Sequence, residues 1–175
     1  GVVLQPSTQA ALSLIELTPP NSLCDVSRFY MFTDGTSGKE TEPDQPATSP
    51  AWGVCVLACT KSGDIHFMGY FGGLTETTIG QLGRSTNPTV PQTELAAILW
   101  ALCYVCQLIG SGLLVLVPVE ITTDSLVCKG IAEAVSLPKA NCDLAEFVAQ
   151  LTHYVSTRVA LTIEHINSHI GHPWN

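Results

Sequence analysis

Hydrophobic and polar positions change period several times along the chain, and each change predicts an element. Residues 28–33 (RFYMFT) are aromatic-rich and read as a strand stopped by Asp34-Gly35. Residues 52–60 and 64–71 read as the second and third strands, joined by a hairpin turn at Lys61-Ser62-Gly63. A nearly unbroken apolar run over 93–109 predicts a buried helix, closed by Gly110-Ser111-Gly112. A fourth strand follows over 115–123 and runs into Asp124-Ser125. A short helix is expected over 126–135, a longer one over 143–156, and a fifth strand over 159–165 that trails into a histidine-rich end. Residues 36–50 (polar, acidic, Pro-containing) and 72–91 (rich in Gly, Thr and Pro) read as loops. Three strands, a helix, a strand, helices and a strand suit an antiparallel meander joined to parallel strands through helical crossovers, hence an α/β domain. No internal repeat is evident.

The first 27 residues stand apart. A short helix over 7–17, with Ser7 as its cap, is ended by Thr18-Pro19-Pro20-Asn21 and reads as a linker or docking segment, leaving 28–175 as the domain. The chain opens at Gly1 without a basic-then-apolar leader, its first methionine is Met31, and His172-Pro173-Trp174-Asn175 look like a turn entering a helix. Both ends therefore read as cut from a longer protein. No charge falls between Glu94 and Glu120, but Gln107, the Gly-Ser-Gly turn and Pro118 interrupt the ~20 apolar residues that a membrane span needs, so no membrane is expected as a partner.

Composition narrows the function. The 175 residues are 46% hydrophobic and 13% charged, enough apolar content for a core. Seven Lys and Arg against fifteen Asp and Glu give a net charge of −8. That excludes a generic basic nucleic-acid binder, so chemistry on nucleic acid would need metal ions or a tethered partner. Seven cysteines, odd in number and irregularly spaced, read as reduced thiols in an intracellular protein, cytoplasmic or nuclear.

Three acids stand where acids are out of place. Asp34 follows the first strand, Glu94 opens an otherwise uncharged helix, and Asp124 follows the fourth strand. Each alone has an ordinary explanation, as a turn former, a dipole partner or a cap. Together they point elsewhere. If the first and fourth strands are neighbours, Asp34 and Asp124 project from adjacent strand ends and Glu94 points at them from the covering helix. Clustered carboxylates repel unless divalent cations neutralise them, and an all-oxygen set suits Mg²⁺ or Mn²⁺. Two such ions stabilise the attacking and leaving oxygens of an in-line phosphoryl displacement.

Phe32-Thr33-Asp34-Gly35-Thr36, Thr93-Glu94-Leu95-Ala96-Ala97-Ile98, Thr123-Asp124-Ser125 and Ser168-His169-Ile170-Gly171-His172-Pro173-Trp174-Asn175 resemble, in order and spacing, the four signature segments of ribonuclease H. The last is most similar to the ribonuclease H domains of retroelement reverse transcriptases. The resemblance spans roughly residues 28–175 and implies a mixed five-stranded sheet, three strands antiparallel and the others parallel, flanked by helices. It also implies hydrolysis of the RNA strand of an RNA–DNA hybrid with two Mg²⁺ (Mn²⁺ as substitute), beside an adjoining reverse transcriptase domain. Asp34, Glu94 and Asp124 carry over as metal ligands, and His169 as a mobile-loop histidine aiding proton movement or product departure. Gly35 and Thr36 match a turn approaching the substrate backbone, and Gln92, Ser125 and Asn175 are further candidate substrate contacts. The family's fourth acid and its closing C-terminal helix lie beyond the segment where this sequence stops. The acidic insert of Glu40, Glu42 and Asp44 and the scattered cations also depart from the pattern. The alternatives are therefore a catalytically incomplete module used for docking or hybrid binding, and an integrase-like or exonuclease-like enzyme acting on DNA. The Gly-His-Pro-x-Asn ending argues against the latter.

Other residues have plainer readings. His165, His169 and His172 have a spacing that zinc could use, but they join a strand end to a Gly/Pro turn, which suits a structural role better. Cys103-x-x-Cys106 lies within the apolar helix, and Cys55 and Cys59 share one strand face. All four read as core, as do Trp52 and Trp100. Ser125 lacks the surroundings of a nucleophile and also fits a helix cap.

Overall fold

A computed structural model of the chain describes residues 25–38, 49–75, 89–110, 117–139 and 142–167. In chain order the elements are β1 (Val26–Thr36), β2 (Ala51–Thr60), β3 (Ile65–Leu74), α1 (Val90–Gly110), β4 (Val119–Thr123), α2 (Leu126–Ala132), α3 (Cys142–Ser156) and β5 (Leu161–His165). The strands form one sheet in the order β3-β2-β1-β4-β5. The β1–β2 and β2–β3 pairs are antiparallel, and the β1–β4 and β4–β5 pairs are parallel. This is the mixed five-stranded sheet that the motif resemblance implies.

The alternation along β1 and β2 turns Phe29, Met31, Thr33, Trp52, Val54, Val56 and Ala58 toward the helices. Helix α1 lies across β1, β2 and β4. It contacts α2 and α3, which contact each other, so the three helices form one layer. Residues 94–102 of α1 are buried without a break, which accounts for a hydropathy that by length and composition alone would suit a membrane span. Trp100 stacks on Trp52 with ring centroids 5.3 Å apart, and Tyr104 packs on Phe71 at 5.4 Å. These rings fasten the middle of α1 to the sheet.

Several boundaries differ from expectation. β1 does not stop at Asp34-Gly35. It pairs with β2 through Asp34↔Gly53, Gly35↔Trp52 and Thr36↔Ala51, because ladder bonds are made by the backbone whatever the side chains. At its other end β1 takes in Val26 and Ser27, which the sequence reading left to the linker, and Val26 is buried. Gly72, Gly73 and Leu74 belong to β3 rather than to a loop. Helix α1 starts at Val90, with Pro91 in its first turn, where a missing N–H costs nothing. Helix α2 ends at Ala132 rather than 135, because Ala134 takes a left-handed φ of 58° and the amides of Val135 and Ser136 return to the Gly130 carbonyl. The expected start of β4 at 115–116, the turn residues 111–112, the helix over 7–17 and the acids at 40, 42 and 44 lie outside the described residues.

Cys103 and Cys106 pack against the core as expected, and burial pushes the Cys103 thiol up to about 12, which makes it inert. Cys55 and Cys59 do not join the core. They are half-buried on the sheet face opposite the helices, since they alternate with the inward Val54, Val56 and Ala58. The six described cysteines are free. Cys128 donates from its thiol to the Pro91 carbonyl at 3.5 Å and ties α2 to the start of α1. Among the described residues β5 pairs on one side only. Its outward Ile163 carbonyl accepts from the Lys129 ammonium, which also pairs with Glu133 at 2.7 Å.

Candidate active site

Parallel pairing of β1 with β4 decides where the site lies. Thr33 is in register with Thr123, so the next residue on each strand, Asp34 and Asp124, carries its carboxylate at the same sheet end. Both threonines are fully buried, and the Thr33 hydroxyl donates to the Thr122 carbonyl at 3.1 Å, locking the two strands just before the acids. Beyond Asp124, Ser125 caps α2 by accepting from the Cys128 amide at 3.3 Å, as one sequence reading expects. Ser125 also donates its own amide to the Thr123 hydroxyl at 3.1 Å.

Glu94 comes from the helix layer. It is the fifth residue of α1, past the first turn, so the dipole explanation offered for it does not apply. Its side chain is 3% exposed, and its Oε1 accepts from the Gly35 amide at 3.1 Å. Its Oε2 is buried with no donor among the described residues. One oxygen from each of Asp34, Glu94 and Asp124 lies within 4.8 Å of the others. Burial first, then the negative charges of Asp124 and Asp34, push the Glu94 carboxyl up to about 8, against the opposing pull of the Gly35 amide. Glu94 and Asp124 can bond to each other only when one of them carries a proton. Among the described cations, Arg28 pairs with Glu120 at 3.2 Å, Lys129 pairs with Glu133, and Arg158 lies over the Tyr154 ring. An acidic cluster with a buried oxygen that finds no donor among the described residues has the donor set of a divalent metal centre.

The remaining candidates separate. Thr36 is exposed at the end of β1, and Gly35 lies within that strand rather than on a turn. Gln92 is 2% exposed and buried in the first turn of α1. His169 and Asn175, and with them His172, lie outside the described residues. His165 is half-buried, and its Nε2 lies 3.2 Å from the Asp124 carbonyl, where it bonds as donor. Sequence reasoning missed this role, as it missed the Gly35 amide, because neither contact leaves a trace in spacing. Only the end-of-strand position of His165 hinted at it.

No protein-family model matches the chain, and no curated protein does. Among solved structures, the LC11 ribonuclease H1 in complex with an RNA/DNA hybrid, from an enzyme isolated from compost, has 20% identity and a TM-score of 0.50, covering 80% of this chain and 86% of its own. The chain has a ribonuclease H-like fold. The PFV ribonuclease H domain, solved in solution, is also similar, with 16% identity and a TM-score of 0.49 over 86% of this chain and 85% of its own. Within this ribonuclease H-like fold the acidic cluster sits where β1 and β4 end together under the first turns of α1.

Proposed function

We propose that the chain is a ribonuclease H domain, a divalent-metal-dependent endonuclease that hydrolyses the RNA strand of RNA–DNA hybrids. The single observation that carries this reading is the cluster of Asp34, Glu94 and Asp124, with a buried Glu94 oxygen that has no donor among the described residues. The chemistry that two Mg²⁺, or Mn²⁺ in their place, bring to such a site is stabilisation of the attacking and leaving oxygens of an in-line displacement. The protein's own part is to hold the three carboxylates together, with Glu94 buried and Asp34 exposed. Thr36 and Ser125 are candidate substrate contacts, and His169 and Asn175 are assigned by motif resemblance to proton movement and substrate contact. The hybrid-bound LC11 enzyme supports the substrate class. Motif wording supports a place in a retroelement polyprotein, inside the cell, beside a reverse transcriptase domain. With a net charge of −8, the affinity for hybrid comes largely from that neighbour.

The negative charge also favours a second reading, in which the module binds or docks without cutting. Incubating end-labelled RNA–DNA hybrid with the chain, in Mg²⁺ and then Mn²⁺, tests both. Cleavage that leaves 3′-hydroxyl and 5′-phosphate ends, is lost in Asp34→Asn and is absent on duplex DNA is the expected result. Retention of hybrid without cleavage in either metal would favour the second reading.

A further inference from the structure

The neighbourhood of Gly35 shows a role that the substrate-facing reading of this residue does not include. Its amide is shared by two of the three acids: it donates to Asp34 Oδ1 at 2.9 Å and to Glu94 Oε1 at 3.1 Å. A Cβ built on it would lie 2.6 Å from the Glu94 amide nitrogen, 2.6 Å from the Thr93 carbonyl carbon and 2.8 Å from the Thr93 hydroxyl. The first two are helix backbone and cannot swing aside. Thr93 is itself fully buried, with its hydroxyl bonded to the Val90 carbonyl at 2.8 Å, so the helix turn that meets Gly35 is braced from within. No positive φ is involved at Gly35, so glycine is required by the close approach of α1 and not by strand geometry. Its cross-strand neighbourhood offers a contrast. Gly53, paired with Asp34, has open space where a Cβ would go.

We propose that Gly35 is a positioning residue for the acidic cluster: its missing side chain lets the Thr93–Glu94 backbone seat against β1, and its amide clamps Glu94 and Asp34 so that the second Glu94 oxygen faces Asp124. This rests on the cluster's being a divalent-cation site, as proposed above, but the geometry is tested independently of catalysis.

The first measurement is hydrogen exchange of the Gly35 amide by NMR in the cation-free, full 175-residue chain. Glu94→Ala should speed exchange at Gly35 about tenfold or more while Phe32 and Thr33 keep their protection, and Glu94→Gln, which retains an acceptor oxygen, should restore it. Unchanged exchange at Gly35 in Glu94→Ala overturns the proposal, whether or not the chain proves to be an enzyme. The second is Mn²⁺ binding followed by electron paramagnetic resonance. Gly35→Ala should weaken binding at least tenfold, whereas Gly53→Ala should stay within twofold of the parent. A folded Gly35→Ala with parental affinity also overturns it. If Gly35→Ala does not fold, the exchange experiment decides alone. If the parent chain binds no Mn²⁺, the metal-centre reading fails and the exchange experiment still judges the clamp.

Discussion

Helix α1 buries orphaned polar atoms in two places, and the two places behave differently. In its middle, Trp100 Nε1 and Tyr104 Oη are buried without partners among the described residues. Each such neutral group costs about 1–3 kcal/mol, and the stacking of Trp100 on Trp52 and the packing of Tyr104 on Phe71 offset that cost. Near its start, Glu94 Oε2 is equally orphaned, but its neighbours are two further carboxylates. No apolar packing can offset like charges at that range. Burial first, and then the charges of Asp124 and Asp34, push the Glu94 carboxyl up to about 8, and only a proton or a cation relieves the site. The middle of the helix adds stability, and its start gives up stability to hold three carboxylates together.

The contrast is sharpest in activity. Asp124→Asn should lower hybrid cleavage by at least roughly 100-fold while leaving the thermal midpoint unchanged or higher; a fall of several degrees would mean that the cluster is a structural feature. The opposite profile is expected from Trp100→Ala, which should cost about 3–5 kcal/mol in urea unfolding and leave the acids in place. A smaller and pH-dependent effect follows from Glu94. Its folded-state value of about 8 lies above the ordinary 4.5, so between those pH values the folded chain holds a proton that the unfolded chain has lost. The stability this proton confers is fully present below about pH 4.5 and gone once pH passes 8. In the cation-free protein Glu94→Gln should therefore stabilise by on the order of 4 kcal/mol at pH 8 and by little at pH 4, and Mg²⁺ should narrow the gap by stabilising the parent. Equal effects at both pH values would break the argument. Least of all, Tyr104→Phe removes an orphaned hydroxyl and should be neutral or stabilising by about 1 kcal/mol, read from the same unfolding curves.

Much of this was legible in the sequence, and for identifiable reasons. The succession of strands and helices follows from period and topology rules, which act over single elements and short connections, whereas the meeting of Asp34 with Asp124 depends on β1 and β4 being neighbours, and the mixed five-stranded sheet comes from the motif resemblance. Trp52 and Trp100 read as core because large aromatics in apolar runs are core in most settings. The end of β1 was misplaced because Asp34 and Gly35 are polar or small, while the ladder with β2 depends on neither property. The start of α1 was misplaced because Pro91 reads as a breaker from sequence and as a first-turn residue in a helix. The Gly35 amide, the orphaned Glu94 oxygen and the His165 contact with the Asp124 carbonyl each join residues at least 41 positions apart or depend on a burial that no local pattern encodes.

The Lys129 ammonium on the outward Ile163 carbonyl has a consequence for solubility. A sheet border with unpaired backbone groups is a template on which other chains can add strands and begin to aggregate. Planting a cation there, held by Glu133, makes an incoming strand displace a charge and its partner before it can register. A chain this apolar, at 46% hydrophobic residues, thereby guards one border of its sheet against self-association with a single lysine.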